Sequence, residues 1–302
     1  MIYRVIKTTG SVFTVVNDHG EVQDVRVRGR LRLSGSRSTS PVAIGDMVKV
    51  EDGTITDVLD RKNYIIRKSS NLSKQSQVLA ANIDQAVLVV TLAMPETPAE
   101  FIDRYLVTAY AYRVPVILVF NKTDLYDDEL QQLMNAYINL YEGSLKHKCI
   151  MSSVVTGEGI DELRELLTGK ISLFSGNSGV GKSSLINAID SEFKTKVGAI
   201  SDAHLTGMHT TTYSEMFPYG DGYIIDTPGI KGFGTIDIAP DEVSHYFPEI
   251  FAESKNCRFS NCTHTKEPGC SVIKAVELHT ISQSRYNSYL SIMDDASQSK
   301  YR

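Results

Sequence analysis

The stretch ISLFSGNSGVGKSSLINAI, residues 171–189, leaves a chain few ways to fold. A strand-length apolar run enters a loop with glycines at 176, 179 and 181, and a helical segment follows. G-x-x-x-x-G-K-[ST] between strand and helix is a phosphate-binding loop. Its glycines let backbone N–H groups converge on phosphate oxygens, and the helix N-terminus adds favourable partial charge. Gly176, Asn177, Ser178, Gly179, Val180, Gly181, Lys182, Ser183 and Ser184 are therefore candidate nucleotide contacts. Lys182 is expected to bridge the β- and γ-phosphates, and Ser183 to hold Mg²⁺. A glycine-rich turn without a ligand is the weaker alternative.

Around this loop, residues 70–233 alternate strand-length apolar runs (DQAVLVVTL, VPVILVF, KCIMSS, ISLFSG, GYIID) with helical stretches such as AEFIDRYLVTAYAYR and DELQQLMNAYINLY. That alternation predicts an α/β domain whose mostly parallel sheet carries helices on both faces, with ligands at the carboxyl ends of the strands. NKTD at 121–124 follows the strand VPVILVF. Asp124 can accept from N1–H and the N2 amine of guanine, whereas adenine would leave the carboxylate facing a lone pair. Asn121, Lys122 and Thr123 complete the base-side motif, and the MSS run with Ser152 and Ser153 fits a loop that meets guanine O6. DTPG at 226–229 supplies Asp226 for the Mg²⁺ water shell and the Gly229 N–H for the γ-phosphate. GMHTTT at 207–212 supplies a hydroxyl for Mg²⁺, with Thr211 favoured and Thr210 and Thr212 not separated from it by spacing.

The order of these motifs is unusual. A standard GTPase begins at its phosphate loop, but here the base-reading motif comes first. The domain is circularly permuted, with its new ends between the DTPG segment and the NKTD strand. Strand adjacency rather than chain order sets such a site, so the sheet tolerates the cut.

Residues 1–69 hold short strands, SVFTVV, EVQDVRVRGRLRL, MVKVE and TITDVL, separated by turn signals such as Asp52-Gly53. About five strands in this length predict a small β-barrel of the oligonucleotide-binding (OB) type. Arg26, Arg28, Arg30 and Arg32 alternate along one strand, placing four guanidinium groups on one face, and Arg37 follows in the next loop. Such a face is either solvated or neutralised by phosphate. Residues 1–68 carry 12 Lys and Arg against 8 Asp and Glu on a chain of net charge −5, which favours a nucleic-acid backbone as partner.

The remainder, 234–302, is expected to be a helical zinc-binding domain. CRFSNCTHTKEPGC places Cys257, Cys262, His264 and Cys270 within one short segment. Three thiolates and one imidazole make a closed tetrahedral Zn²⁺ site with no position for water, hence a structural one; three buried thiols are the alternative. Cys149 sits in a predicted strand and belongs to the core. The longest apolar run, near 86–94, falls far short of the ~20 residues of a membrane helix, and MIYRVIKTTG lacks the apolar core of a signal peptide. The thiols outside any disulfide pattern suit the cytoplasm.

Basic barrel, permuted GTPase with GNSGVGKSS, GMHTTT and DTPG, and CRFSNCTHTKEPGC together resemble the small ribosomal subunit biogenesis GTPase family over nearly all 302 residues. The resemblance implies GTP hydrolysis stimulated by the small ribosomal subunit, a role in late subunit maturation, and a zinc domain that helps to dock on ribosomal RNA; nothing in the sequence itself suggests an obligate dimer or a membrane partner, so a monomer is expected. Ile230 follows DTPG where many GTPases place a water-orienting glutamine, and Asp237 in FGTIDI stands where some relatives carry a histidine. His209 is the nearest alternative for that role, or it only braces its segment. Two other readings stay open: an RNA-binding module with GTP as a structural ligand, and a GTPase acting on another RNA.

Overall fold

Strands β8 (Gln85–Val90), β9 (Val116–Asn121), β10 (Lys148–Ser152), β11 (Ile171–Ser175) and β13 (Gly222–Asp226) form the parallel centre of the fold, in the order β10–β9–β8–β11–β13. The computed structural model describes residues 1–27, 41–68, 76–191, 215–226 and 238–299. Near-continuous apolar strands are what a sheet covered on both faces requires. Alternate residues divide between two cores: Ala86, Leu88 and Val90 join Leu118 and Phe120 on one side, while Val87, Val89, Ile117 and Val119 face the other. Helices α1 (Ala99–Ala111) and α2 (Asp128–Ile138) cover the first face, and α3 (Ile160–Leu167) and α4 (Lys182–Ile189) the second. Asp127 caps α2 by accepting from Leu130 N–H at 2.9 Å, and one π turn, Asn139–Ser144, ends that helical segment.

On the far side of β13, antiparallel β12 (Glu215–Tyr219) leads into a closed barrel. Strands β1 (Ile2–Thr9), β2 (Val12–Val16), β3 (Val22–Val27), β4 (Met47–Glu51) and β5 (Thr54–Val58) run in the order β1–β2–β3–β5–β4, and β4 pairs back with β1. All contacts are antiparallel except β3–β5, giving the five-stranded barrel expected. Strand β1 was not among the predicted strands, although its Tyr3 and Val5 fill the barrel core with Phe13, Val15, Val25, Val48 and Ile55.

The barrel continues the central sheet through the pair Lys7↔Glu215, whose side chains meet at 3.3 Å. A second seam is fully packed. Asp46, buried, takes Arg61 in a two-toothed ion pair, 2.7 Å on each oxygen, and also caps Ala43 N–H. Gly45 at φ +84° lies so close to β7 (Ser76–Ala81) that a Cβ would sit 2.0 Å from the Ala81 carbonyl oxygen. Strand β7 pairs with β6 (Tyr64–Lys68), so this hairpin crosses the expected 69/70 boundary.

Beyond residue 238 a 3₁₀ helix (Pro240–Tyr246), α5 (Pro248–Ser254), α6 (Ser271–Glu277) and α7 (Gln283–Ser299) enclose a small core of Val243, Phe247, Ile250, Val272, Tyr289 and Ile292. Val107 of α1 completes that core. The segment APDEV begins the 3₁₀ helix with its proline in the first turn. No described helix is long and apolar enough to cross a membrane.

Candidate nucleotide site and metal centre

The phosphate loop turns back between fully buried β11 and helix α4. Gly176 adopts φ +145° and Gly181 φ +94°, conformations that side chains avoid. A Cβ on Gly176 would stand 2.3 Å from the Val89 carbonyl oxygen, and one on Gly181 2.5 Å from Asn121 Nδ2. Val180, wholly buried, anchors the loop, while Ser178, Gly179, Ser183 and Ser184 remain exposed to a ligand. Lys182 Nζ donates to the carbonyls of Gly176 (2.8 Å) and Asn177 (2.9 Å). Burial lowers its pKa, against the pull of Asp226.

Asp226 ends β13 beside this lysine. Burial pushes its carboxyl up to about 6, with Lys182 opposing, and its Oδ1 has no hydrogen-bond partner among the described residues. An orphaned, buried carboxylate oxygen facing a phosphate loop fits a hydrated divalent cation, so Asp226 and Ser183 could hold Mg²⁺.

The base side reaches this loop directly. Asn121 Nδ2 donates to the Val180 carbonyl at 2.8 Å, and Lys122, itself at φ +64°, donates from Nζ to Gly179 O (2.8 Å) and Met94 O (2.6 Å). Ser152 Oγ donates to Asn121 Oδ1 at 3.0 Å. Ser153 Oγ donates to Asp124 Oδ1 at 2.5 Å and accepts from the N–H groups of Val155 and Thr156. Thr123 donates to the Ser152 carbonyl and to Glu158. Asp124 is exposed, and the Val154 N–H has no partner among the described residues. A carboxylate held by one oxygen, next to a free N–H, can pair with the N1–H, N2 and O6 edge of guanine.

Two features escaped sequence reasoning. One is the loop at 91–98, whose Met94 carbonyl and Pro95 ring abut Lys122 and Gly179; its only signal was TLAMPETP at the carboxyl end of an apolar strand. The other is Glu158, which fixes Thr123. Thr211, His209, Gly229, Ile230 and Asp237 lie outside the described residues, as do Arg28, Arg30, Arg32 and Arg37. Arg26 is exposed on β3, opposite Val12 and Thr54.

In the C-terminal module one atom each from Cys257, Cys262, His264 and Cys270 lies within 4.8 Å of all the others. His264 Nδ1 is 3.5 Å from the sulfurs of Cys257 and Cys270, which are 3.9 Å apart. Tetrahedral ligands at zinc bond lengths stand about 3.5–3.8 Å apart, so the set fits one such ion. Outer groups hold it. Tyr286 and Tyr289 donate to the carbonyls of His264 and Thr263, each at 2.7 Å, and Ile273 N–H points at Cys270. Burial raises the Glu267 pKa, but hydrogen bonds from the Thr263 hydroxyl and from the N–H groups of Thr263 and Lys266 outweigh it and bring it down to about 2. Cys149 stands apart in β10, where burial pushes its thiol up to about 12.

The RsgA GTPase family model matches residues 58–236. The small ribosomal subunit biogenesis GTPase RsgA of Bacteroides fragilis (strain YCH46) is 56% identical, with 99% of this chain and 98% of that protein aligned. The protein of the same name from Flavobacterium johnsoniae is 46% identical over 96% and 92%. Among solved structures, YjeQ from Thermotoga maritima superposes with a TM-score of 0.76 at 36% identity, covering 98% of each chain. YloQ, described as a circularly permuted GTPase, gives 0.72 at 27% identity, covering 100% of this chain and 96% of its own.

Proposed function

The chain belongs to the RsgA GTPase family, and from that premise we propose that it hydrolyses GTP to GDP and phosphate on the small ribosomal subunit, in a late step of subunit maturation. The observation that carries this reading is the closure of base side on phosphate side, through Asn121 to Val180 and Lys122 to Gly179. A nucleotide bound there contacts both halves at once.

The residues divide the work. Asp124, positioned by Ser153, selects guanine over adenine, and the Val154 N–H takes O6. The amides of residues 176–184 hold the phosphates, and Lys182 turns from its carbonyls onto the β- and γ-phosphates. Ser183, Thr211 and, through water, Asp226 would hold Mg²⁺, which would supply charge neutralisation on the phosphate oxygens. Gly229 offers its N–H to the γ-phosphate. With Ile230 in place of a glutamine, unassisted turnover is slow, and the subunit supplies the missing positioning of the attacking water.

Residues 1–69, 70–233 and 234–302 act as RNA-binding barrel, GTPase and zinc module, with the β6–β7 hairpin as the first seam. Zn²⁺ at Cys257, Cys262, His264 and Cys270 is structural. Arg26, Arg28, Arg30, Arg32 and Arg37 meet ribosomal RNA backbone. The protein works as a monomer in the cytoplasm, where thiols stay reduced.

The test is turnover of purified protein with and without small subunits, for the natural chain and for Asp124→Asn. Subunits should accelerate GTP hydrolysis. Asp124→Asn should weaken GTP about a hundredfold and favour xanthosine triphosphate, whose 2-carbonyl suits an amide donor. Equal turnover with and without subunits, or unchanged base preference, overturns the reading.

A further inference from the structure

The nucleotide site and the metal centre lie in separate modules, yet one helix is gripped by both. On the side of α1 that faces the C-terminal module, Arg285 of α7 is 1% exposed and donates to Asp103 Oδ1 of α1 and to Glu249 Oε1 of α5, each at 2.7 Å. Its guanidinium lies 4.5 Å above the Phe247 ring, and Tyr141 donates to the same Asp103 oxygen at 2.9 Å. One residue on, Arg104 joins Asp295 (2.8 Å) and Ser291 (2.9 Å) of α7. Buried charges with several partners each have one acceptable position, so α1 cannot slide or rotate against α7 without unpairing them.

From Asp103 the helix runs back little more than one turn to its start after Pro98, directly behind the loop at 91–98. That loop is closed on itself by Thr97 N–H to the Thr91 carbonyl (2.8 Å) and Thr91 Oγ1 to the Pro95 carbonyl (2.5 Å). Leu92 N–H is tied to Tyr126 OH (2.9 Å). It meets the phosphate loop through Met94 O on Lys122 Nζ, which also holds Gly179 O, and through the Pro95 ring against Gly179. The connection from Arg285 to the phosphate loop is thus one helix and one tied loop, and passes through no residue of GMHTTT or DTPG.

We propose that α1 and the 91–98 loop form a rigid lever by which the metal-binding module sets the position of the phosphate loop, with Arg285 as the positioning residue. This rests on the nucleotide site described above but not on the ribosomal role. Binding at the phosphate loop and seating of the metal module then share one coupling, and each strengthens the other to the same extent.

The test measures GDP affinity and metal content in full-length protein. Arg285→Met leaves Asp103 buried and unpaired, so GDP affinity should fall about tenfold while one metal ion per chain remains. The pair Arg285→Met with Asp103→Leu replaces the ion pair by apolar contact and should restore affinity, as a mechanical lever requires. Val243→Ala, which loosens the metal-module core but removes none of the ion pairs to α1, should lose thermal stability without that loss of affinity. Unchanged GDP affinity in folded, metal-loaded Arg285→Met overturns the proposal, and so does an equal loss in Val243→Ala. If Arg285→Met does not fold, hydrogen exchange on the natural protein decides: GDP must slow the amides of both α1 and residues 285–295, and protection confined to the phosphate loop overturns the lever. Failure of the natural protein to bind GDP would instead strike the nucleotide reading itself.

Discussion

The nucleotide cradle gathers residues 94–95, 121–124, 152–158, 176–184 and 226 from the ends of separate strands, whereas the metal centre takes its four ligands from residues 257–270 alone. The cradle closes by its own hydrogen bonds: asparagine to carbonyl, lysine to two carbonyls, serine to aspartate. In the metal centre three sulfurs and an imidazole nitrogen converge to contact distance, an arrangement that repels itself once the thiols ionise. The cradle is therefore held by the fold itself, while the ligand cluster of the candidate metal centre calls for an ion to hold it together. Each experiment below separates the two.

Removing the metal should have the largest effect. Structural zinc contributes about 10 kcal/mol or more of apparent folding free energy to a small module. Chelation should melt residues 238–299, seen as fast hydrogen exchange in α6 and α7, while the central sheet keeps its own thermal transition. Guanine-nucleotide binding should weaken only by the coupling through α1. A single cooperative loss of both modules would erase the distinction.

The reverse experiment attacks the cradle and spares the metal. In Gly181→Ala the new Cβ falls 2.5 Å from Asn121 Nδ2 on a backbone at φ +94°. Asn121 must move, and with it the bond to Val180 that joins base side to phosphate side. Nucleotide binding by calorimetry should be lost, with metal content unchanged.

Asp226 shows the tension between cradle stability and chemistry. Its carboxyl is pushed up to about 6 by burial from an ordinary 3.8, so the folded state binds the proton more tightly than the unfolded state does. Stability of the nucleotide- and cation-free protein should then fall as pH rises from about 4 to about 6 and stay lower above, by about 3 kcal/mol. Asp226→Asn should abolish this slope and raise the melting temperature at pH 7.5, while GTP turnover ends. A parallel pH profile in the variant would refute the assignment. The cradle tolerates such a group because its function needs the charge that its packing disfavours.

The same contrast explains how much the sequence discloses. Motifs with local spacing were legible. The strand ends at GNSGVGKSS and at GYIID are neighbours in the parallel sheet, NKTD stands one strand further along across β8, and the four metal ligands converge. Contacts between distant segments were not. Nothing in QSRYNSY marks Arg285 as a buried partner of Asp103, 182 residues away, because a lone arginine on a polar helix looks like a solvated one. Strand β12 was hidden for another reason. EMFPY is short and carries Pro218, which a pattern search demotes, but as the only antiparallel neighbour of β13 it joins the central sheet to the barrel.

The smallest expected effect tests how finely the cradle is set by its own bonds. Ser153 Oγ is the hub of the base loop, donating to Asp124 and accepting from the N–H groups of Val155 and Thr156. In Ser153→Ala those two N–H groups can turn to water, since Val155 and Thr156 are exposed. The folded state should therefore lose little stability. Asp124 keeps its charge but loses the donor that fixes its rotamer, which should weaken GTP about fivefold, or about 1 kcal/mol. ATP binding, which never used this carboxylate productively, should not change, so selectivity falls by the same factor. Competition binding with both nucleotides measures it. An equal loss for GTP and ATP would mean that Ser153 supports the loop as a whole rather than the guanine-reading carboxylate.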